Sequence, residues 1–434
     1  MADWDTSLVT DMSGLFSGKW SFNQDISGWD VSKVTDMSNM FNQAGQFNQD
    51  LSSWKVGAVT DMSQMFQSAW SFAKTADMSG WDVSKVTNMQ SMFSGAQYFN
   101  ATGLSSWDVS KVTDMSYMFY GASKFNDDIS NWNVGQVQQM RSMFYDAMDM
   151  PSWDTSLVTD MSRLFSNKWD FNQDISGWDV SKVTDMSGMF DNAGQFNQDL
   201  SSWKVGAVTD MSQMFQSAWS FAKTADMSGW DVSKVTNMQG MFNYAQNFNA
   251  TGLGSWDVSK VTDMSNMFYG ASKFNDDISN WNVGQVQQMR SMFYDARDFN
   301  QDISGWDVSK VTDMSGMFDN AGQFNQDLSS WKVGAVTDMS QMFQSAWSFA
   351  KTADMSGWDV SKVTNMQGMF NYAQNFNATG LGSWDVSKVT DMSYMFYGAS
   401  NFNDDISNWN VGQVQQMISM FTGASIFNAD ITGW

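Results

Sequence analysis

An aspartate that follows a Val-Thr pair recurs along the chain and is the residue best suited to chemistry in this sequence. Stacked carboxylates supply the several oxygen ligands that Ca²⁺ requires. The calcium candidates are Asp11, Asp36, Asp61, Asp185, Asp210, Asp313 and Asp338. Asp side chains also bond nearby backbone amides in turns, and the absence of Glu favours this alternative because only short side chains reach those amides.

Other kinds of site are excluded by composition. The chain contains no His and no Cys, which excludes Ser-His-Asp triads, cysteine nucleophiles and the usual ligands of zinc, copper, haem and iron–sulfur centres. We expect no cofactor apart from the possible calcium. A regular array offers no unique cleft for a pair of catalytic carboxylates, so we also expect no enzymatic activity.

The charge balance restricts the partners. Lys and Arg number 23 against 46 acidic residues, so the formal net charge is -23. Such a surface argues against nucleic acid and against anionic membranes. No apolar run reaches the length that spans a bilayer, and the first residues do not resemble a signal peptide.

Two sets of side chains are candidates for partner contact. Trp70, Trp219 and Trp347 recur in the longer repeats, outside the tryptophan column that marks each repeat, so we expect them to project at regular intervals. Lys55, Lys204 and Lys332 interrupt a column of Asp residues. A Lys between two Asp relieves repulsion between like charges; the alternative is a charge pattern that a partner recognises. A file of Thr before the Asp column makes an ice-binding face a lesser alternative.

The elements that position these residues are repeats. Eighteen tryptophans, from Trp4 to Trp434, recur mostly every 25 residues. Every Phe falls into one of two columns within the repeat, and most Met residues are similarly ordered. Longer super-repeats cover residues 4–152, 178–305 and 306–433, and a short seam repeat occupies 132–152. One unit cannot bury its apolar face alone, whereas stacked units can.

Within a repeat, Trp-Asp-Val alternates as a short strand does. The segment Ser-x-Met-Phe-x-x-Ala-x-x-Phe places apolar residues at helical spacing, and Asn, Asp, Ser and Gly at the end of the repeat favour a turn. The pattern therefore predicts a strand, a turn, a short helix and a loop in each rung. Equivalent strands would pair in parallel, and the Phe, Met and Ala columns would form the core.

The unit at 256–279, WDVSKVTDMSNMFYGASKFNDDIS, resembles the repeats of BspA-like leucine-rich-repeat surface proteins. The resemblance implies a leucine-rich-repeat-like solenoid with a microbial surface location and a role in adhesion or binding. We therefore predict an α/β fold: one continuous solenoid over residues 1–434, with about 17 stacked rungs. Its predicted partner is a protein or carbohydrate ligand outside the cell or on its surface.

The alternative function is structural. The repeat array begins at Trp4 and stops at Trp434, and neither end shows a recognisable polar cap. Two ends of matching chemistry favour head-to-tail stacking of chains into a filament.

Overall fold

The computed structural model describes residues 4–73, 77–145, 153–222, 225–349 and 353–434. The chain divides into two compact units: Met1–Gln198 with Trp203–Ala207, and Asp199–Ser202 with Val208–Trp434. Residues 146–152, which hold the shortened end of the seam repeat, lie outside the described residues. The single continuous solenoid over residues 1–434 stays a prediction from the sequence.

Parallel bridges join equivalent positions of successive repeats in each unit. The ladder of the first unit includes Asp11, Asp36, Asp61, Asn88, Asp114, Gln139, Asp160 and Asp185. The ladder of the second unit includes Asp210, Asn237, Asp263, Gln288, Asp313, Asp338, Asn365, Asp391 and Gln416. Backbone bonds flank each bridge: Thr35 N–H donates to the carbonyl of Thr10 at 2.8 Å, and Met37 N–H donates to the carbonyl of Asp61 at 3.0 Å. Each unit is therefore a repeat solenoid whose equivalent residues stack in register.

The ladder also crosses the short seam repeat within the first unit. Gln139 bridges Asp160, and Thr159 N–H donates to the carbonyl of Gln138 at 2.9 Å. The rings of Trp132 and Trp153 stack with their centroids 6.4 Å apart. The bridge ladder and the tryptophan column thus stay in register on both sides of residues 146–152 despite the four-residue shortening.

The short helix that the apolar spacing predicts is absent from the described residues, which contain no α-helix and only isolated bridges as β-structure. Their helices are three short 3₁₀ segments, Leu104–Ser106, Leu253–Ser255 and Leu381–Ser383. In this described part of the chain, no helix has the length and apolar character needed to cross a membrane.

Consecutive turns replace the predicted helix. Met40 and Ala44 N–H groups close turns onto the carbonyls three residues earlier, whereas Phe41 N–H donates to Met65 of the next rung at 2.8 Å. Asn39 and Gln43 adopt positive φ angles of 58° and 60° between these bonds. Turns that repeat every three or four residues bring the same side chains to one face as a helix would. For this reason the sequence pattern does not distinguish the two structures.

The predicted core columns are buried. Phe41, Phe66 and Phe93 have no exposed surface, and the ring centroids of neighbouring rungs are 5.3 Å and 5.8 Å apart. Within one rung, Phe66 and Phe72 stack at 3.7 Å. The repeat tryptophans from Trp29 to Trp409 join this core: Trp81 is 3% exposed, and its indole N–H donates to the carbonyl of Leu51 at 3.0 Å. Files of stacked rings thus fill much of the interior of each unit.

Glycine is required where the 3₁₀ segments begin. Gly252 has a φ of 90°, and a Cβ atom on it would lie 2.6 Å from the backbone nitrogen of Ser228. The following residue, Leu253, donates its N–H to an Asp276 carboxylate oxygen at 2.8 Å, which fixes the loop to the next rung. Gly103 and Gly380 occupy the equivalent positions, each with a φ of 89°.

We expect Gly252→Ala to lower the free energy of unfolding of the second unit by about 2 kcal/mol or more, because alanine is strained at this φ and clashes with backbone. Gly305→Ala is the control, since Gly305 has an ordinary φ and open space where its Cβ would lie. It should change stability by less than about 0.5 kcal/mol. Urea denaturation of the full chain measures both effects; equal midpoints for the two variants would contradict the prediction.

Candidate functional site

The aspartate column forms turns. In each calcium candidate, Oδ1 accepts the backbone N–H of the residue two positions later at 2.8 Å, as at Asp11 and Ser13. In three of the seven the other oxygen is also engaged: Asp61, Asp210 and Asp338 accept the side-chain amide of an Asn in the next rung at 3.1 to 3.2 Å. The turn interpretation therefore accounts for the column, and calcium binding stays a prediction from the sequence.

Hydrogen bonds favour the charged form of Asp11, the first residue of the column. At Asp11 the hydroxyl and the N–H of Ser13 lower the carboxyl pKa below its usual range. The described residues include no group of three or more acidic side chains arranged to hold a metal ion.

The hydroxyl groups of the Thr file form hydrogen bonds between rungs. Thr35 Oγ1 donates to the carbonyl of Thr10 at 3.1 Å, and Thr60 Oγ1 donates to the carbonyl of Thr35.

The lateral tryptophans, Trp20, Trp70, Trp169, Trp219 and Trp347, lie outside the core. Trp70, Trp219 and Trp347 are 44%, 42% and 52% exposed. Glycines in the same column make room for some of these rings: a Cβ on Gly45 would lie 2.2 Å from the Trp20 ring. Across that gap, Trp20 and Trp70 meet edge to face with centroids 4.8 Å apart. The column thus displays large aromatic side chains at the surface.

The lysine candidates are exposed as well. Asp30 and Asp82 flank Lys55 in its column, and their carboxylates accept the N–H groups of Ser32 and Ser84. Within the described ranges, neither Lys55 nor Lys332 has a carboxylate within 4.0 Å. The side chains of Lys55 and Lys332 are exposed, and charge balance within this column stays a prediction from the sequence. Lys204 is the third exposed lysine of the column.

A groove that the sequence analysis did not find lies in the first unit. This tyrosine–arginine groove has a volume of about 410 Å³. Its aromatic and charged lining consists of Tyr117, Tyr120, Tyr145, Arg141 and Arg163. Its remaining lining consists of Gln67, Gln90, Ser91, Ser94 and Ser142. The signal in the sequence is that two of the four arginines of the chain stand in adjacent repeats.

Ring contacts shape the groove. Tyr120 and Tyr145 stack with centroids 4.4 Å apart, and Tyr117 meets Tyr120 edge to face at 6.0 Å. The guanidinium carbon of Arg141 lies over the Tyr117 ring, 5.9 Å from its centroid. The three tyrosines are half-buried and the two arginines exposed. The arrangement offers aromatic faces beside positive charge.

The model of one protein family, described as "Mycoplasma protein of unknown function, DUF285", matches residues 1–77, 73–151, 148–255, 247–355 and 349–434. No curated protein sequence matches the chain.

Solved structures of bacterial leucine-rich-repeat proteins are similar to the chain. A protein from Bacteroides ovatus shares 12% identity with a TM-score of 0.36, over 79% of this chain and 86% of that chain. One from Eubacterium ventriosum shares 11% identity with a TM-score of 0.36, over 82% and 84%. An internalin from Listeria monocytogenes shares 14% identity with a TM-score of 0.23, over 76% and 83%.

Proposed function

The chain belongs to the DUF285 family, and we propose that it is a non-enzymatic scaffold, outside the cell or on its surface, that binds partner molecules through repeated side-chain columns. The observation that carries this proposal is the recurrence of large exposed indole rings at Trp70, Trp219 and Trp347. Tryptophan is enriched among the residues that dominate binding energy in protein interfaces. The rigid array of turns beneath these rings would present them with little loss of conformational entropy.

The partner surface is proposed to include the exposed lysines. Lys55, Lys204 and Lys332 stand in a column whose other members are mostly Asp. Positive charge at regular intervals on an acidic surface would select the register and orientation of a partner more than it would increase affinity. The indole rings are accordingly expected to dominate the affinity.

The experiment uses a triple variant, Trp70→Gln, Trp219→Gln and Trp347→Gln. Gln is the residue at the equivalent position of the following repeats, at Gln97, Gln246 and Gln374. We expect the wild-type chain to bind at least one of a panel of immobilised surface proteins and glycans. The affinity of the variant for the same partner should be lower by roughly tenfold or more. Biolayer interferometry measures both affinities.

The matched control replaces the half-buried serines beside these rings, Ser71, Ser220 and Ser348, with alanine. This control should bind as the wild type does. Equal affinity of the tryptophan variant and the wild type would contradict a role for the indole column.

A second candidate function, end-to-end assembly, is favoured by apolar exposure at the terminal rungs. Trp4 and Leu8 are 60% and 79% exposed in the first rung, and Ile418 and Ile426 are 53% and 52% exposed in the last. Stacking of two copies would bury these side chains, as a further rung would in a longer chain. Electron microscopy of the chain, with and without calcium, distinguishes filaments from single particles, and filaments that form only with calcium would support metal binding by the aspartate column.

A further inference from the structure

We propose that the tyrosine–arginine groove binds a sugar residue that carries one carboxylate. The inference rests on the proposed binding function and narrows one of its ligands to an acidic glycan. The groove volume of about 410 Å³ falls within the range of roughly 300–1,000 Å³ typical of small-molecule sites. The groove is distinct from the lateral tryptophans, none of which is among its lining residues.

The charge of the groove favours a single anionic group. In a chain with a formal net charge of -23, Arg141 and Arg163 have no carboxylate within 4.0 Å among the described residues. By contrast, Arg297 in the second unit binds Asp295 through two nitrogens, at 2.8 Å and 3.3 Å. Two guanidinium groups that have no such partner within the described ranges can bind a carboxylate by donating paired N–H bonds to it. The acidic remainder of the chain would repel an extended polyanion, so one carboxylate on an otherwise neutral ligand fits best.

Asp160, the ladder residue three positions before Arg163, is engaged through one of its oxygens. Asp160 Oδ1 accepts both the N–H and the hydroxyl of Ser162, at 2.8 Å and 2.6 Å. Arg163 follows this turn, and a Cβ on Gly188 of the next rung would lie 3.1 Å from its Cγ atom. The aliphatic part of the Arg163 side chain thus occupies the space beside Gly188 that a larger residue would fill, and Arg163 remains exposed.

The rest of the lining favours a sugar over a peptide. The five described lining residues that are neither tyrosine nor arginine are all serine or glutamine, and none of the described lining residues is aliphatic. Ser91, Ser94 and Ser142 are 7%, 8% and 2% exposed. Hydroxyl and amide groups both donate and accept hydrogen bonds, as the hydroxyl groups of a sugar require. The tyrosine rings offer flat apolar faces against which the C–H face of a pyranose can pack.

The combination of residues that lines the groove occurs once in the sequence. The residues equivalent to Tyr117 and Arg163 in the following super-repeat are Asn266 and Gly316. Arg141, in contrast, has a counterpart in Arg290. Neighbouring rungs already hold small residues at the positions of the two arginines. Gly188 is equivalent to Arg163 in the next rung, and Ser116 is equivalent to Arg141 in the preceding rung. The substitutions Arg163→Gly and Arg141→Ser therefore fit the repeat.

The test is isothermal titration of the full chain with methyl β-glucuronide and, separately, with the neutral methyl β-glucoside. We expect the glucuronide to bind at least roughly tenfold more tightly, because hydrogen bonds between charged groups are stronger than neutral ones. Arg163→Gly and Arg141→Ser should each weaken glucuronide binding by roughly tenfold or more. Arg290→Ser is the matched control and should bind as the wild type does. Circular dichroism of each variant verifies that the fold is retained.

Three outcomes would overturn the inference: equal binding of the two glycosides, unchanged affinity in folded Arg163→Gly, or tighter binding of an Asp-rich peptide or inorganic phosphate than of the glucuronide. The tryptophan variant separates this inference from the scaffold function, since it should keep its affinity for the glucuronide. A chain that binds the surface panel through its tryptophans but does not bind the glucuronide would refute the groove proposal alone.

Discussion

Replacing Phe93 with alanine will lower the free energy of unfolding of the first unit by roughly 3–5 kcal/mol, the usual effect of truncating a buried Phe. Phe93 has no exposed surface. Its ring stacks on Phe99 of the same rung at 3.9 Å and on Phe66 and Phe119 of the neighbouring rungs, each at 5.8 Å. Alanine would leave a cavity in a continuous file of rings, and the turn backbone above and below is held by hydrogen bonds that resist collapse.

Tyr98→Ala in the same rung is the control, because Tyr98 is 48% exposed. Its effect should be within about 0.5 to 1 kcal/mol of zero. Urea denaturation gives the change in stability, and hydrogen exchange locates it: rungs that contact Phe93 should lose protection first, since each repeat is stabilised by its neighbours. Similar losses for the two variants would show that the ring file does not dominate the stability of the unit.

The core and the turn chemistry followed from the repeat itself. Every copy of a column samples the same environment, so a position that is apolar in all copies, such as that of Phe41 and Phe66, must face the interior. The absence of Glu favoured turns over calcium sites for the aspartate column. Only a short carboxylate can reach the N–H two residues later, as Asp36 does with Ser38 at 2.8 Å. The exposure of Trp70 and Trp347 likewise agreed with their position outside the core columns.

The local backbone and the groove did not follow from the repeat. Apolar spacing at Met37, Met40, Phe41 and Ala44 is the same for a helix and for a run of turns, and the choice depends on N–H groups that bond the next rung instead of their own. The groove combines side chains from several rungs, and it forms at positions where the repeats differ. The repeat pattern describes only what the repeats share, so it does not predict the contact between Arg141 and Tyr117, which the structure shows.

The carboxyl group of Asp319, at another position where the repeats differ, should make the stability of the second unit depend on pH. Asp319 is 3% exposed, and burial raises the pKa of its carboxyl group to about 7. The hydrogen bond from Gln344 lowers this pKa, and the negative charge of nearby Asp295 raises it. Gln344 Nε2 donates to Asp319 Oδ2 at 3.0 Å. Because the folded state holds this proton more tightly than the unfolded state, stability falls as the pH rises from the unfolded pKa of 3.8 to about 7. The penalty is complete above that range.

Asp319→Asn should therefore stabilise the second unit by up to about 4 kcal/mol near pH 8 and have little effect near pH 4. Asn already occupies this column at Asn371, whose side-chain amide donates to Gln344 at 3.1 Å, so the substitution fits the stack.

Asp307→Asn is the control of opposite sign, because the hydroxyl and then the N–H of Ser309 lower the pKa of Asp307. Its carboxylate stabilises the fold above the unfolded pKa, and this contribution is lost as the pH falls through the folded pKa. Urea denaturation across this pH range measures both variants. A stability difference between Asp319→Asn and the wild type that does not change with pH would show that Asp319 is not the titrating group, since only a residue with different folded and unfolded pKa values changes the slope of stability with pH.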